Sequence, residues 1–202
     1  MRPTALALNL AVAGFASLRY ELAGQVNPRL LAAFLVTAAP AAFLGGSLSL
    51  APDLYRPLVG LLLWASAVRM FWQPSRLARR ETHPPSLVVA LPAGAAIGLL
   101  AGLTGTGGGI FLSPLIILFG WEGARRTSGV AAGFIFVNSL AGLAGNLASV
   151  RALPGELPIL AAAVAAGALL GTWLGAGRLP KPRLLQGLGL VLAIAGAKLV
   201  FA

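Results

Sequence analysis

An all-α, polytopic integral membrane protein is the fold class that this 202-residue sequence predicts, on three observations. Only 10% of its residues are charged and 58% are apolar, where a soluble domain carries about a quarter charged. Charge-free runs at 30–52, 127–150 and 157–177 each exceed the roughly 20 residues that a helix needs to cross a bilayer core. A further charge-free stretch, 84–121, runs for 38 residues and is broken by a cluster of glycines. Lipid cannot hydrogen-bond an exposed backbone, so helix is the conformation these runs must take. The expectation is about six spanning helices plus one Gly-rich re-entrant or broken helix.

Taken in order, the runs 3–18, 57–68 and 184–197 are short, and reach spanning length when Arg19, Arg69 and Lys198 at their ends snorkel to the interface. Residues 73–85 read as the one true loop, with Arg76, Arg79, Arg80, Glu81, His83 and several prolines. An internal repeat crosses that loop. Asn9-Leu-Ala-Val-Ala-Gly14 pairs with Asn138-Ser-Leu-Ala-Gly142, Leu44-Gly-Gly-Ser-Leu48 with Leu170-Gly-Thr-Trp-Leu174, and Arg56-Pro-Leu-Val-Gly60 with Arg183-Leu-Leu-Gln-Gly187, at offsets of 129, 126 and 127. The chain thus divides into a first repeat, 1–72, a basic loop, 73–85, and a second repeat, 86–202. The glycine cluster has its repeat partner expected before Met1, so the first repeat is read as N-terminally incomplete.

The segment Gly102-Leu-Thr104-Gly105-Thr106-Gly107-Gly108-Gly109-Ile110 carries the chemistry. Four glycines in five residues are not a packing spacing, and glycine bears the largest backbone entropy cost of helix formation. Residues 86–103 and 110–121 then form two arms of about 27 Å and 18 Å at helical rise. The second is too short to span, so a re-entrant hairpin is expected. Its short arm would present the amides of Gly107, Gly108, Gly109 and Ile110 at membrane depth, where a helix N-terminus attracts anions. Thr104, Thr106 and Ser113 can add hydroxyl donors. Gly94, Gly98 and Gly102, and likewise Gly167, Gly171 and Gly175, stand four apart and read instead as helix-packing positions. A phosphate-cradling loop is excluded because Ile110 and Phe111 follow the last glycine, where Lys and Ser or Thr are required.

Asn9 and Asn138 occupy equivalent repeat positions inside spans, where interhelical hydrogen bonding and substrate contact are both open. The candidate substrate-binding set is therefore Thr104, Gly105, Thr106, Gly107, Gly108, Gly109, Asn138 and Asn9. Ser128 and Ser139 are further lining candidates, and Asn146 reads as a packing contact. All five carboxylates, Glu21, Asp53, Glu81, Glu122 and Glu156, fall in loops or at span ends, and there is no cysteine. No nucleophile–base pair, metal cluster or cofactor motif emerges, so an enzyme is not expected.

The net charge of +10 resides in the gaps between apolar runs, which points to lipid headgroups and not to nucleic acid. If 86–121 enters and returns on one side, eleven of the fifteen Lys and Arg residues share that side. Such a bias places the 73–85 loop in the cytoplasm and makes the repeats inverted in topology. With every run crossing once, no bias survives.

These features together resemble the sulfite exporter TauE/SafE family of membrane transporters. The resemblance rests on Gly105-Thr-Gly-Gly-Gly-Ile-Phe-Leu-Ser-Pro114 and on Thr127-Ser-Gly-Val-Ala-Ala-Gly-Phe-Ile-Phe-Val-Asn138-Ser-Leu-Ala-Gly142, with the Asn9 helix as the matching element of the first repeat. It implies an inverted-repeat transporter in the cell (inner) membrane that exports or takes up sulfite, sulfonates or related small sulfur anions. The partners expected are that anion and the bilayer, and a homo-oligomer is compatible with the sequence. An anion channel using the same site, or an accessory membrane subunit whose glycines serve packing alone, are the alternatives.

Overall fold

The computed structural model describes residues 2–48, 52–72, 81–145, 157–174 and 180–201, and no strand occurs among them. Eight helices lie in these residues: α1 (Arg2–Leu22), α2 (Pro28–Ser47), α3 (Pro52–Trp72), α4 (Leu87–Thr104), α5 (Gly109–Phe119), α6 (Ala124–Gly145), α7 (Leu157–Trp173) and α8 (Lys181–Phe201). By length and hydropathy, α2, α4 and α6 each suffice to cross a membrane. The 21 residues of α1, α3 and α8 extend the shorter apolar runs past Arg19, Arg69 and Lys198, as snorkelling requires. Residues 73–80, Asn146, Gly175 and the carboxylate of Glu156 lie outside the described residues.

Local chemistry sets the helix ends. Gly24, at φ +63°, ends α1: the Gly24 N–H donates to Glu21 O at 2.9 Å and the Gln25 N–H to Tyr20 O at 2.9 Å, the paired bonds of a glycine-terminated helix. Asn27 then caps α2, its Oδ1 accepting from Leu30 N at 3.2 Å, with Pro28 at the first helical position. The Asn27 Nδ2 donates to Glu122 Oε2 at 2.7 Å. This bond ties the α1–α2 turn to the α5–α6 turn, so both lie at one end of the bundle.

Glycine spacing governs the α2–α4 contact. A Cβ on Gly94, Gly98 or Gly102 would strike the backbone of Phe34, Ala38 or Ala42, respectively. The two helices therefore run parallel with their backbones touching, as the four-residue spacing predicts. Thr37 Oγ1 also donates to Leu91 O across this interface at 2.7 Å. The same spacing on α7 does not pack: an added Cβ at Gly167 or Gly171 meets nothing within 4 Å. The expectation of a packing role there is corrected for these two glycines, because no described helix stands against that face.

Helix α6 packs against α1, α2, α4 and α5, which accounts for its many buried positions, from Ala124 to Gly142. It meets α1 antiparallel, with Leu6 near Gly142 and Gly14 against Phe136. Helix α3 pairs antiparallel with α8, Trp64 Nε1 donating to Ala193 O at 2.9 Å and Gly189 lying against Phe71.

Helices α4 and α5 form a hairpin whose two open ends meet. The His83 N–H, just before α4, donates to Gly120 O, just after α5, at 2.9 Å. Gly120, at φ +71°, closes α5, and Trp121 beyond it stacks on Phe119 with ring centroids 5.2 Å apart. The pair therefore returns to the end from which it starts. Helix α4 alone is long enough to be counted as a crossing, but the 11 residues of α5 cover only about 16 Å at helical rise.

Candidate functional site

The turn of this hairpin gathers the sequence-predicted glycines. Gly105 ends α4 in the left-handed conformation, at φ +73°, with its N–H on Ala101 O. Gly107 and Gly108 follow at φ +70° and +80°, and Gly108 caps α5. Three left-handed residues in four are a conformation that side chains with a Cβ rarely adopt. The sequence needs glycine at these three positions for backbone direction, and at Gly107 and Gly108 for space as well.

The amides of Gly107, Gly108, Gly109 and Ile110 have no hydrogen-bond partner in the described structure. The first main-chain bonds of α5 run from Phe111 N and Leu112 N to Gly108 O, at 3.0 and 3.1 Å. This N-terminus carries the positive end of the α5 dipole, about half a charge in an ideal long helix. Its height is set by α6: Gly109 lies against Ala131 and Ile135, and Ile135 is at the midpoint of α6. The free amides therefore stand halfway along the bundle.

Helices α1 and α6 supply side chains to this turn. Asn9, half-buried on α1, donates from Nδ2 to Gly105 O over 3.4 Å, at the long edge of a hydrogen bond. A Cβ on Gly107 would lie 3.4 Å from Asn9 Nδ2 and 2.8 Å from Ser139 Oγ, so both side chains border that glycine. Phe134 contacts Gly108, and Gly142 lies near Gly102. Asn138 is one turn from each on α6, which puts it on the stripe facing the hairpin tip. Asn138 and Ser139 are fully buried, and Asn138 Nδ2, Asn138 Oδ1 and Ser139 Oγ have no hydrogen-bond partner. Buried polar atoms are nearly always paired, so three unpaired ones beside four free amides are an unusual concentration of unmet hydrogen-bonding capacity.

Both threonines of the turn are spent internally. Thr104 Oγ1 donates to Leu100 O at 2.7 Å and shares a 2.8 Å bond with Thr106 Oγ1. Since the Thr104 proton is on Leu100, Thr106 must donate in the shared bond. Their oxygens can therefore accept from a ligand but not donate to it, which corrects the expectation that these two threonines add hydroxyl donors. Ser113 is buried further along α5. Ser128 donates to Ala124 O at 3.2 Å at the base of the bundle, away from the tip. Of the residues that border the turn, Ser139 stood outside the main candidate set. Its signal was adjacency to Asn138 in the Asn-Ser pair, visible but no stronger than that of other buried serines.

Comparison with known proteins gives this arrangement a lineage. The chain matches the family described as sulfite exporter TauE/SafE over residues 1–199. It is 39% identical, over 204 residues, to a protein of Sinorhizobium fredii (strain NBRC 101917 / NGR234) described as "Probable membrane transporter protein y4hK". That match covers 100% of this chain and 83% of the relative. No solved structure matches it. A helical bundle with membrane-length apolar helices, a broken helix at its centre and a family match across nearly its whole length have one reading: this chain belongs to the TauE/SafE sulfite exporter family, and is a multi-pass membrane transporter and not an enzyme.

Proposed function

We propose that the chain is a secondary transporter of small sulfur-containing anions, such as sulfite or organosulfonates, bound at the tip of the α4–α5 hairpin. One observation carries the reading: four unpartnered amides at a helix N-terminus, at mid-height, face fully buried and unpaired Asn138 and Ser139. Amides and a dipole aimed at one point favour an anion, and broken helices at mid-membrane are how many carriers hold one. The substrate class comes from the family and from no distance in the site.

The proposal places six helices, α1, α2, α3, α6, α7 and α8, across the cell (inner) membrane, with α4 and α5 re-entrant from the cytoplasmic side. The meeting of His83 with Gly120, and of Asn27 with Glu122, at one end of the bundle supports this topology. Arg19, Arg29, Arg125 and Arg126 belong to helix termini at that same end, as the positive-inside bias asks. The two halves are read as inverted repeats. In support, repeat-equivalent helices pair antiparallel, α1 with α6 and α3 with α8, while α2 on α6 is answered by α1 on α7.

Uptake of sulfite into liposomes holding the purified chain tests the site. A Gly108→Leu side chain would begin 2.9 Å from Phe134 and 3.0 Å from Ala101, at a left-handed φ. It should abolish uptake while the protein still inserts; undiminished flux in that variant rules out the tip as the binding place.

A further inference from the structure

We infer that the site takes its anion protonated and singly charged, so that the transported proton rides on the substrate and on no side chain. The inference rests on the anion site proposed above and concerns what that site can hold.

The first ground is charge. Neither α4 nor α5 contains an ionisable residue. On α6 the ionisable residues are Arg125 and Arg126, at least twelve residues before Asn138. On α1, Arg2 lies seven residues before Asn9, while Arg19, Tyr20 and Glu21 lie ten or more after it. On α2, which packs on α6, Arg29 sits in the first turn. On α8, which also touches α6, Lys181, Arg183 and Lys198 lie near the ends. On α3, which touches α5, Asp53, Tyr55, Arg56 and Arg69 lie in the first five or last four residues. Along α1 and α6 the ionisable groups stand roughly 10 Å or more from Asn9 and Asn138. Among the described residues, the positive element at the tip itself is one helix dipole, about half a charge. The solvation penalty of an ion rises with the square of its charge, so a dianion loses about four times what a monoanion loses on leaving water. One helix end and a few neutral donors suit the monoanion.

The second ground is the kind of hydrogen-bonding group present. A site for a fully deprotonated oxyanion needs donors alone. Here Asn138 presents Oδ1, an acceptor, as well as Nδ2, both buried and unpaired, and Ser139 Oγ can accept as well as donate. Thr104 and Thr106 have both protons committed within the turn, so toward a ligand they are acceptors. An oxyanion that keeps one acidic proton satisfies both sets: its charged oxygens take the glycine amides and the Asn138 Nδ2, and its proton goes to Asn138 Oδ1 or Ser139 Oγ. A bare dianion would set its lone pairs against these acceptors. Among sulfur anions the fit is to hydrogensulfite and not to sulfite or to a sulfonate, which has no proton to give.

Equilibrium binding to the purified chain in detergent micelles tests this, with sulfite and methanesulfonate as probes across the pH range of the second ionisation of sulfite. Only the protonated fraction should bind, so the apparent affinity for total sulfite should fall about tenfold per pH unit above that ionisation. Methanesulfonate, always a monoanion but without a proton, should bind more weakly at acid pH and without pH dependence. Asn138→Leu should lower hydrogensulfite affinity toward that of methanesulfonate. A sulfite affinity that is flat or rises with pH overturns the inference, as does a parallel fall for methanesulfonate, which would mean that the protein itself titrates. Sulfite binding that Gly108→Leu abolishes, but that is flat in pH, overturns this inference and leaves the site standing. Binding of neither anion at any pH overturns both.

Discussion

Replacing Gly107 by alanine is the smallest change that separates backbone strain from occupation of the proposed site. Gly107 sits at φ +70°, where a Cβ costs about 1–2 kcal/mol. The new methyl would also lie 2.7 Å from Ile135 Cγ2, 2.8 Å from Ser139 Oγ and 3.4 Å from Asn9 Nδ2. Overpacking of that kind adds about 1–3 kcal/mol, so the sum is about 2–5 kcal/mol. The structure provides its own control. Gly24 is likewise left-handed, at φ +63°, but a Cβ there meets nothing within 4 Å. Gly24→Ala should therefore lose only the strain component, some 2–4 °C of melting temperature per kcal/mol for a chain of this size, and bind anions as before. Gly107→Ala should melt lower still and lose anion binding by tenfold or more, since about 1.4 kcal/mol of lost contact suffices for that. Melting in detergent and sulfite binding, read on the same preparations, give both quantities. Equal binding by the two variants would refute the reasoning, because the space between Ser139, Asn9 and Gly107 would then not be where the anion sits.

Two further outcomes follow from the packing and the topology. Gly98→Val should disrupt assembly, because its side chain meets the backbone of Ala38, which no rotamer change can move. Gly167→Val should be tolerated, since open space surrounds that glycine; detergent gel filtration of the two variants compares them. The chain has no cysteine, so single cysteines can report sidedness. Ser86→Cys and Gly123→Cys, at the two open ends of the hairpin, should react with a membrane-impermeant thiol reagent from the same side. Ser47→Cys, at the exposed far end of α2, should react from the other. Labelling of residues 86 and 123 from opposite sides would dismantle the re-entrant reading.

Much of this architecture was legible in the sequence because membrane helices are written in charge spacing. The hairpin could be inferred from the length of one uninterrupted apolar stretch and from contiguous glycines, and its arms, expected at 86–103 and 110–121, fall at Leu87–Thr104 and Gly109–Phe119. The α2–α4 contact followed from glycines four apart. The identical spacing on α7 shows the limit of that rule: a small-residue stripe makes close approach possible but does not say that a partner is there. Nor could sequence show how the hydroxyl protons of Thr104 and Thr106 are disposed, because that depends on which carbonyl each side chain reaches. The Asn27–Glu122 link was equally silent, since it joins two turns 95 positions apart.

The two glycine patterns, one along α4 and one in the turn after it, do different physical work, and the proposed site depends on both. Spaced glycines at 94, 98 and 102 bring α4 onto the α2 backbone, and α6 also packs against α2, with Gly46 against Gly142 and Gly145 against Phe43. Both walls of the tip are thereby referenced to one rigid helix. Contiguous glycines at 105 and 107–109 then turn the chain back without a side chain between the free amides and Ser139. Loosening the first pattern would let the tip drift by an ångström or more, enough to spoil convergent hydrogen bonds. Filling the second would leave the walls in place and occupy the space itself. The Gly98 and Gly107 variants should therefore fail differently, the first in assembly and the second in binding, and that division is what distinguishes a built site from glycines that serve packing alone.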